Sequence, residues 1–183
     1  MVRDLELFSK RARLNTPASA TDIDEERAPS PDTHSMPPEA STMGVIERVD
    51  MINFMCHRNL SITLGPRINF IIGHNGSGKS AILTAITVTL GGKAQTTSRG
   101  SSLKDFILEG AQAAEVRVRL RNGGSDAYRP DLYGDAINIE RRIHSDGSGS
   151  WKIKNADGKT ISTKREELDA ICDHANIQVD NPM

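Results

Sequence analysis

The sequence predicts an α/β fold: a strand–loop–helix unit followed by a hairpin-rich antiparallel β section, all behind a polar N-terminal tail. Three observations predict it. A short apolar run, Ile68 to Ile72, passes through Gly73-His74-Asn75-Gly76-Ser77-Gly78-Lys79-Ser80 into a helical pattern. Downstream, residues 114–121 alternate strictly, with Val116, Val118 and Leu120 on one side and Arg117, Arg119 and Arg121 on the other. The composition also changes near residue 43, because five of the eight prolines (Pro17, Pro29, Pro31, Pro37, Pro38) precede it.

Residues 1–43 carry few large apolar side chains and cannot bury enough surface to offset their ordering entropy, so they read as a disordered tail. Its small basic cluster, Lys10-Arg11-Ala12-Arg13, reads as solvated charge ahead of a nuclear-import signal or a DNA-touching arm. Residues 44–183 read as folded. Val45–Phe54 and Leu60–Leu64 are strands, and Gly65-Pro66 turns the chain into the apolar run before the glycine loop. The helix after the loop places Ile82, Ala85, Ile86, Thr89 and Leu90 on one face, and Gly91-Gly92 stops it. Residues 93–113 are loop-like with a short helix at 102–109. Residues 114–121, 136–143 and 151–154 are strands, separated by turn-rich segments at 145–149 and 155–158. A closing helix begins at Thr163, with Glu166 three residues on as a capping box. Its apolar stripe is Leu168, Ile171, Cys172 and Ala175.

A chain of 183 residues has room for a single domain with a real core. Its 23 Lys+Arg balance 24 Asp+Glu, so any nucleic-acid surface has to be a local patch. Cys56 and Cys172 show no metal-ligand spacing and read as reduced core thiols. No apolar stretch approaches the roughly eighteen residues needed to span a bilayer, and the charged N-terminus lacks a secretory pattern. These features lead one to expect a soluble intracellular protein with no membrane partner.

The loop carries the chemistry. G-x-x-x-x-G-K-S between a strand and a helix is built to hold phosphates. Gly73, Gly76 and Gly78 let the backbone curl so that the N–H groups of Asn75 to Lys79 point inward, with His74 and Ser77 completing the loop. Lys79 neutralises the β- and γ-phosphates, the Ser80 hydroxyl is a natural Mg²⁺ ligand, and the helix N-terminus adds partial positive charge. A working ATPase also needs a carboxylate at the end of an apolar strand. The nearest candidate, Ala136-Ile137-Asn138-Ile139-Glu140, reads instead as an antiparallel strand with Glu140 outward. There is no second glycine-rich signature, so the catalytic set within this chain is incomplete.

With these residues in view, the chain resembles the N-terminal ATPase-head segment of the structural maintenance of chromosomes (SMC) family. It looks most like the sixth eukaryotic branch, whose members pair with the fifth in a DNA-repair complex. The resemblance rests on Asn53–Leu60, the Gly73–Ser80 loop, Thr96–Asp105, and Glu166–Asp169 with Asn176–Pro182, and it covers about residues 44–183. It implies an α/β fold that is the N-terminal half of an ABC-type P-loop NTPase head, with ATP and Mg²⁺ as cofactors. It also implies that Asn53–Arg58 lies near the nucleotide, with Arg58 near phosphate or base, and that Arg99 senses DNA or nucleotide. The implied partners are DNA, a second SMC head of the fifth-member type and the missing C-terminal half-head, in the nucleus and on the chromosome. The family's coiled-coil arms, hinge, signature motif, acidic strand and glutamine loop are not in this sequence, which reads as truncated and inactive by itself. The alternative is a non-catalytic DNA- or partner-binding chain using the arginine face at 117–121 with Arg99, Lys104, Arg141 and Arg142.

Overall fold

The alternation along Ala113–Arg121 organises the sheet. In the computed structural model, which describes residues 42–97 and 100–179, this strand (β3) is flanked by β1 (Ile46–Phe54) and β4 (Ala136–His144). The hairpin partner of β1 is β2 (His57–Thr63), and β5 (Gly149–Lys154) and β6 (Thr160–Ser162) follow β4. The order is β2-β1-β3-β4-β5-β6, antiparallel throughout. Register lines up one apolar row across five strands: Ile62, Val49, Val118, Ile139 and Ile153 are successive cross-strand partners, and all are buried. With a side-chain period of two, that single alignment commits one whole face of the sheet to the core. Helix α1 (Lys79–Thr89) covers it with Ile82, Ala85 and Val88, and Gly91-Gly92 end the helix as expected. Leu168, Ile171 and Cys172 of α3 (Arg165–His174) join the same core.

The opposite face is charged and internally paired. Glu47 accepts hydrogen bonds from Arg119 (3.1 Å) and Arg121 (2.7 Å). Burial opposes its ionisation, but the Arg121 and Arg119 guanidiniums outweigh that and hold the carboxyl below its usual range. Glu140 lies on this face, as the alternation predicts. It is nevertheless only 7% exposed, because Lys154 (2.7 Å), Arg117 (3.5 Å) and Lys152 (3.8 Å) close over it. Burial is again outweighed, here by Lys154 first, so its carboxyl too is held low.

Several local expectations are corrected. The helix expected at 102–109 is a single 3₁₀ turn, Leu103–Phe106, with Ser102 and Asp105 forming its capping box. It stops because Phe106 is buried and Ile107 bridges to Phe54 of β1. Helix α3 starts at Arg165 rather than Thr163 and has no side-chain cap, because the residues just before it pair as β6. A four-residue helix, α2 (Pro130–Tyr133), was not anticipated. Pro130 opens it, and the buried Tyr133 donates its hydroxyl to Glu167 of α3 at 2.8 Å. Cys56 is exposed and Cys172 buried, so only the second is a core thiol. The tail of residues 1–41, with its basic cluster, lies outside the described residues. No helix of the described chain is long and apolar enough to cross a membrane.

The apolar run before the glycine loop takes no strand partner. Ile68, Phe70 and Ile72 are 81%, 68% and 63% exposed, and only Ile71 packs partly against the core. A strand is defined by its neighbour's hydrogen bonds, and the six strands described here pair with one another without it. Three exposed apolar side chains at alternate positions each forgo roughly 1.5–3 kcal/mol of burial and present a template for pairing with another chain. The chain is therefore expected to self-associate with rising concentration, and a variant with Ile68, Phe70 and Ile72 all replaced by Thr to stay monomeric. Sedimentation velocity over a concentration series checks this, and a monomeric unmodified chain at high concentration would refute it.

Candidate nucleotide phosphate site

The first turn of α1 is prepared for an anion. Its N-cap is Gly78, in the left-handed region at φ 89°. No side chain caps the helix, and no acidic residue occupies the first turn to compete for its amide hydrogens. The loop before it is drawn tight: Ser77 N donates to His74 O at 3.1 Å, and Ala81 N to Gly78 O at 2.9 Å. Lys79 bends back over this turn, its Nζ donating to Gly73 O (2.6 Å) and His74 O (2.8 Å). The ammonium is thus held at the loop by two carbonyl oxygens, weaker partners for a cation than phosphate oxygens.

The second wall comes from the β1–β2 hairpin. Asn53 and Met55 both take positive φ (50° and 51°), which turns the strand at its end. Met55 N donates to Phe106 O (2.7 Å) and Leu108 N to Asn53 O (2.9 Å), while the Phe54 and Phe106 rings lie 5.8 Å apart. The 3₁₀ turn thereby fixes the hairpin tip, and the tip rests on Gly78. A Cβ added to Gly78 would lie 2.0 Å from His57 Nε2 and 2.8 Å from Cys56 Sγ. His57 is itself 6% exposed. Between tip and loop lies a cavity of about 380 Å³, with Met55 and Cys56 on one side and Asn75, Gly76, Gly78, Lys79 and Ser80 on the other.

The residues present fit a triphosphate. The Ser77 hydroxyl is buried with no hydrogen-bond partner, an orphaned donor inside a loop of donors. Gly76 takes φ 85° with nothing within 4 Å of an added Cβ, so its side of the loop is open. Ser80 is exposed at the second position of α1 and would be the residue to hold a metal bound to such a phosphate. A magnesium ion takes most of its ligands from phosphate and water, so one hydroxyl is a sufficient protein contribution. Among the described residues no group of three or more His, Cys, Asp or Glu could hold a metal.

Of the residues singled out from the sequence, Asn75, Gly76, Gly78, Lys79 and Ser80 line one cavity, and Gly73 and His74 hold the lysine. Ser77 is buried within the loop. Arg58, on β2, is exposed and does not line the cavity. Arg99 lies outside the described residues. Sequence reasoning missed Met55 and Cys56 as individual wall residues, and His57 as the side chain packed against Gly78. The resemblance had placed their segment near the nucleotide, but nothing local marks an apolar hairpin tip as a wall. The arginines of the 117–121 face are engaged with Glu47, Glu115 and Glu140. Arg141 lies on the other, helix-covered face.

Residues 48–183 match the family model described as AAA domain. The chain is 52% identical over 141 residues to structural maintenance of chromosomes protein 6 of Schizosaccharomyces pombe, covering 77% of this chain and 12% of that protein. It is 51% identical over 145 residues to the Homo sapiens protein of the same name, covering 79% and 13% respectively. A solved SMC ATPase structure, described for ATP-driven dimerization and DNA-stimulated activation, superposes with a TM-score of 0.63 at 29% identity. That match covers 73% of this chain and 80% of the other. The chain thus spans about one-eighth of the length of these curated relatives. Glycine loop and these similarities converge: the chain belongs to the AAA-domain family, as an N-terminal ATPase-head segment of the SMC type similar to structural maintenance of chromosomes protein 6.

Proposed function

We propose that this chain binds the triphosphate of ATP with Mg²⁺ and forms half of a composite head in an SMC complex acting in DNA repair and recombination on nuclear chromosomes. The observation that carries the reading is the Lys79 ammonium held over a glycine loop whose buried Ser77 hydroxyl has no partner. When bound, ATP would supply a group that favours joining of two heads and releases them on hydrolysis. The roles of this chain's own residues are narrower. Lys79 would exchange its two carbonyl partners for phosphate oxygens, and the Asn75–Lys79 amides would orient the phosphate chain. Ser80 would hold the metal, and Met55 and Cys56 would shield one side from water. Arg58 and Arg99 are proposed contacts to nucleotide or DNA.

Partners follow from the incompleteness of the site. No apolar strand in the sequence ends in the carboxylate that ATP hydrolysis needs, so the proposed partners in hydrolysis are a C-terminal half-head and a second head of the fifth-member type. The exposed Ile68, Phe70 and Ile72 support this, since they leave apolar surface for a partner to cover. The arginine-face reading is weaker, because three carboxylates already pair with the arginines a nucleic-acid backbone would need.

Thermal denaturation with ATP, with and without Mg²⁺, tests the proposal. A ligand at 100 times its dissociation constant stabilises by about 2.7 kcal/mol, and the shift is expected to be larger with Mg²⁺ than without. No shift with adenine nucleotide, even after the rest of the head is supplied, would refute ATP binding. The chain alone is expected to show negligible ATP turnover, and turnover that disappears in Lys79→Ala would contradict the half-head reading.

A further inference from the structure

On the helix-covered face, β4 presents Ile137, Ile139, Arg141 and Ile143 at alternate positions, and all four are buried. An arginine occupies a row that is otherwise isoleucine. Arg141 is 5% exposed, and its Nε and Nη1 find no hydrogen-bond partner. Its guanidinium lies 3.2 Å from the ring centroid of Trp151, its cross-strand neighbour on β5. Stacking satisfies the flat face of a guanidinium but not its in-plane N–H donors, which require oxygen.

A second arginine converges on the same indole. Arg165, the first residue of α3, sits 5.5 Å from the Trp151 centroid and donates to Gly91 O at 2.9 Å. Its Nε is 3.5 Å from Asp169, a half-exposed pair that neutralises it weakly. Trp151 is itself fixed by donating Nε1–H to Thr89 O at 3.0 Å. Between these groups lies a cavity of about 320 Å³ whose lining includes Arg141, Arg165 and Lys93 and no carboxylate. On its far wall, Ser101 and Ser102 are already engaged by Asp105. The Arg141 guanidinium and the exposed Lys93 ammonium are therefore what the cavity offers. Burial, and then repulsion from Arg165, push the Arg141 group down to about 10, so it remains a cation at neutral pH with no carboxylate paired to it among the described residues.

We propose that this cavity, distinct from the glycine loop, is an oxyanion site that takes one phosphate group, with Arg141 donating in-plane hydrogen bonds and Arg165 and Lys93 adding charge. The ligand is compact, either inorganic phosphate or a small phosphomonoester, because a guanidinium only 5% exposed is out of reach of a duplex backbone.

Trp151 is the only tryptophan in the chain, so its fluorescence reports this cavity. The full chain at micromolar concentration is titrated with inorganic phosphate and, separately, with free phosphoserine, with ionic strength held constant by chloride. A saturable change is expected that chloride alone does not produce, and the tighter of the two ligands identifies the source. The Lys79→Ala chain is expected to respond identically, which separates this site from the glycine loop. Arg141→Gln is expected to weaken the response at least tenfold. Should that variant unfold by far-ultraviolet circular dichroism, Arg165→Gln, altered at a half-exposed position, is expected to weaken it severalfold. The proposal is overturned by an equal response to chloride, by loss of response in Lys79→Ala, or by unchanged titration in a folded Arg141→Gln or Arg165→Gln. Displacement of bound phosphate by duplex DNA would also overturn it, in favour of a backbone contact.

Discussion

Lys79→Ala is expected to weaken ATP binding roughly ten- to hundredfold, the size of a lost charge-assisted hydrogen bond to phosphate. The substitution leaves the glycine cradle in place. The Gly73 and His74 carbonyls, which lose the ammonium at 2.6 and 2.8 Å, belong to a part-buried or exposed stretch where water can replace it. The fold should therefore survive, and the loss should appear in binding alone. With ATP set at 100 times the original dissociation constant, a hundredfold weakening reduces the stabilisation from about 2.7 to about 0.4 kcal/mol. At roughly 4 °C per kcal/mol for a domain of this size, a shift near 10 °C falls to about 2 °C. Thermal denaturation of both chains at one ATP concentration checks this. An undiminished shift in the variant would mean that the nucleotide binds elsewhere.

Gly78→Ala is expected to disrupt the site more severely than Gly76→Ala, although both glycines have similar positive φ (89° and 85°). For Gly76 the cost is backbone strain alone, about 1 kcal/mol, because an added Cβ meets nothing within 4 Å. For Gly78 the same strain is joined by collision with His57, 2.0 Å away, and with Cys56, 2.8 Å away. His57 is buried and cannot swing into solvent without lifting the hairpin tip that Phe106 and Leu108 hold. An additional destabilisation of about 1–3 kcal/mol follows, together with loss of the ATP-dependent shift. Urea unfolding of the two variants measures the difference, and equal midpoints would refute the packing argument. Combining Gly78→Ala with His57→Ala should restore part of the lost stability, because the two residues are in contact and their effects are not additive.

The glycine turn and the helix start after it were legible because their parts are local. The glycines, the lysine and the helix start lie within eight residues, and each acts through backbone conformation or one short side chain. The strands were legible for a related reason, since alternation along 114–121 and 136–143 states which face is wet without naming a neighbour. What remained hidden depended on partners distant in sequence. Thr160–Ser162 carries too short a pattern to read as a strand, and becomes one only because β5 has a free edge. A short helix beginning at Ser102 was expected over 102–109, but the burial of Phe106 against Phe54 decided that it would stop after one turn.

Arg141 and the Ile68–Ile72 run mark the boundary most clearly. Within the sequence, Arg141 adjoins Arg142 and groups with the arginines of the alternative DNA- or partner-binding face. Register places it among isoleucines above Trp151. The apolar run reads as a buried strand, yet burial requires a neighbouring strand, and none of those described here pairs with it. The sequence alone determined the periodicities, the turns and the anion-ready loop, because these follow from φ preferences and residue spacing along the chain. Only the tertiary structure decided which hairpin tip closes on Gly78, which arginine is buried without a partner and which apolar face stays open. Those outcomes depend on strand register and on contacts between distant residues, and no local pattern encodes either.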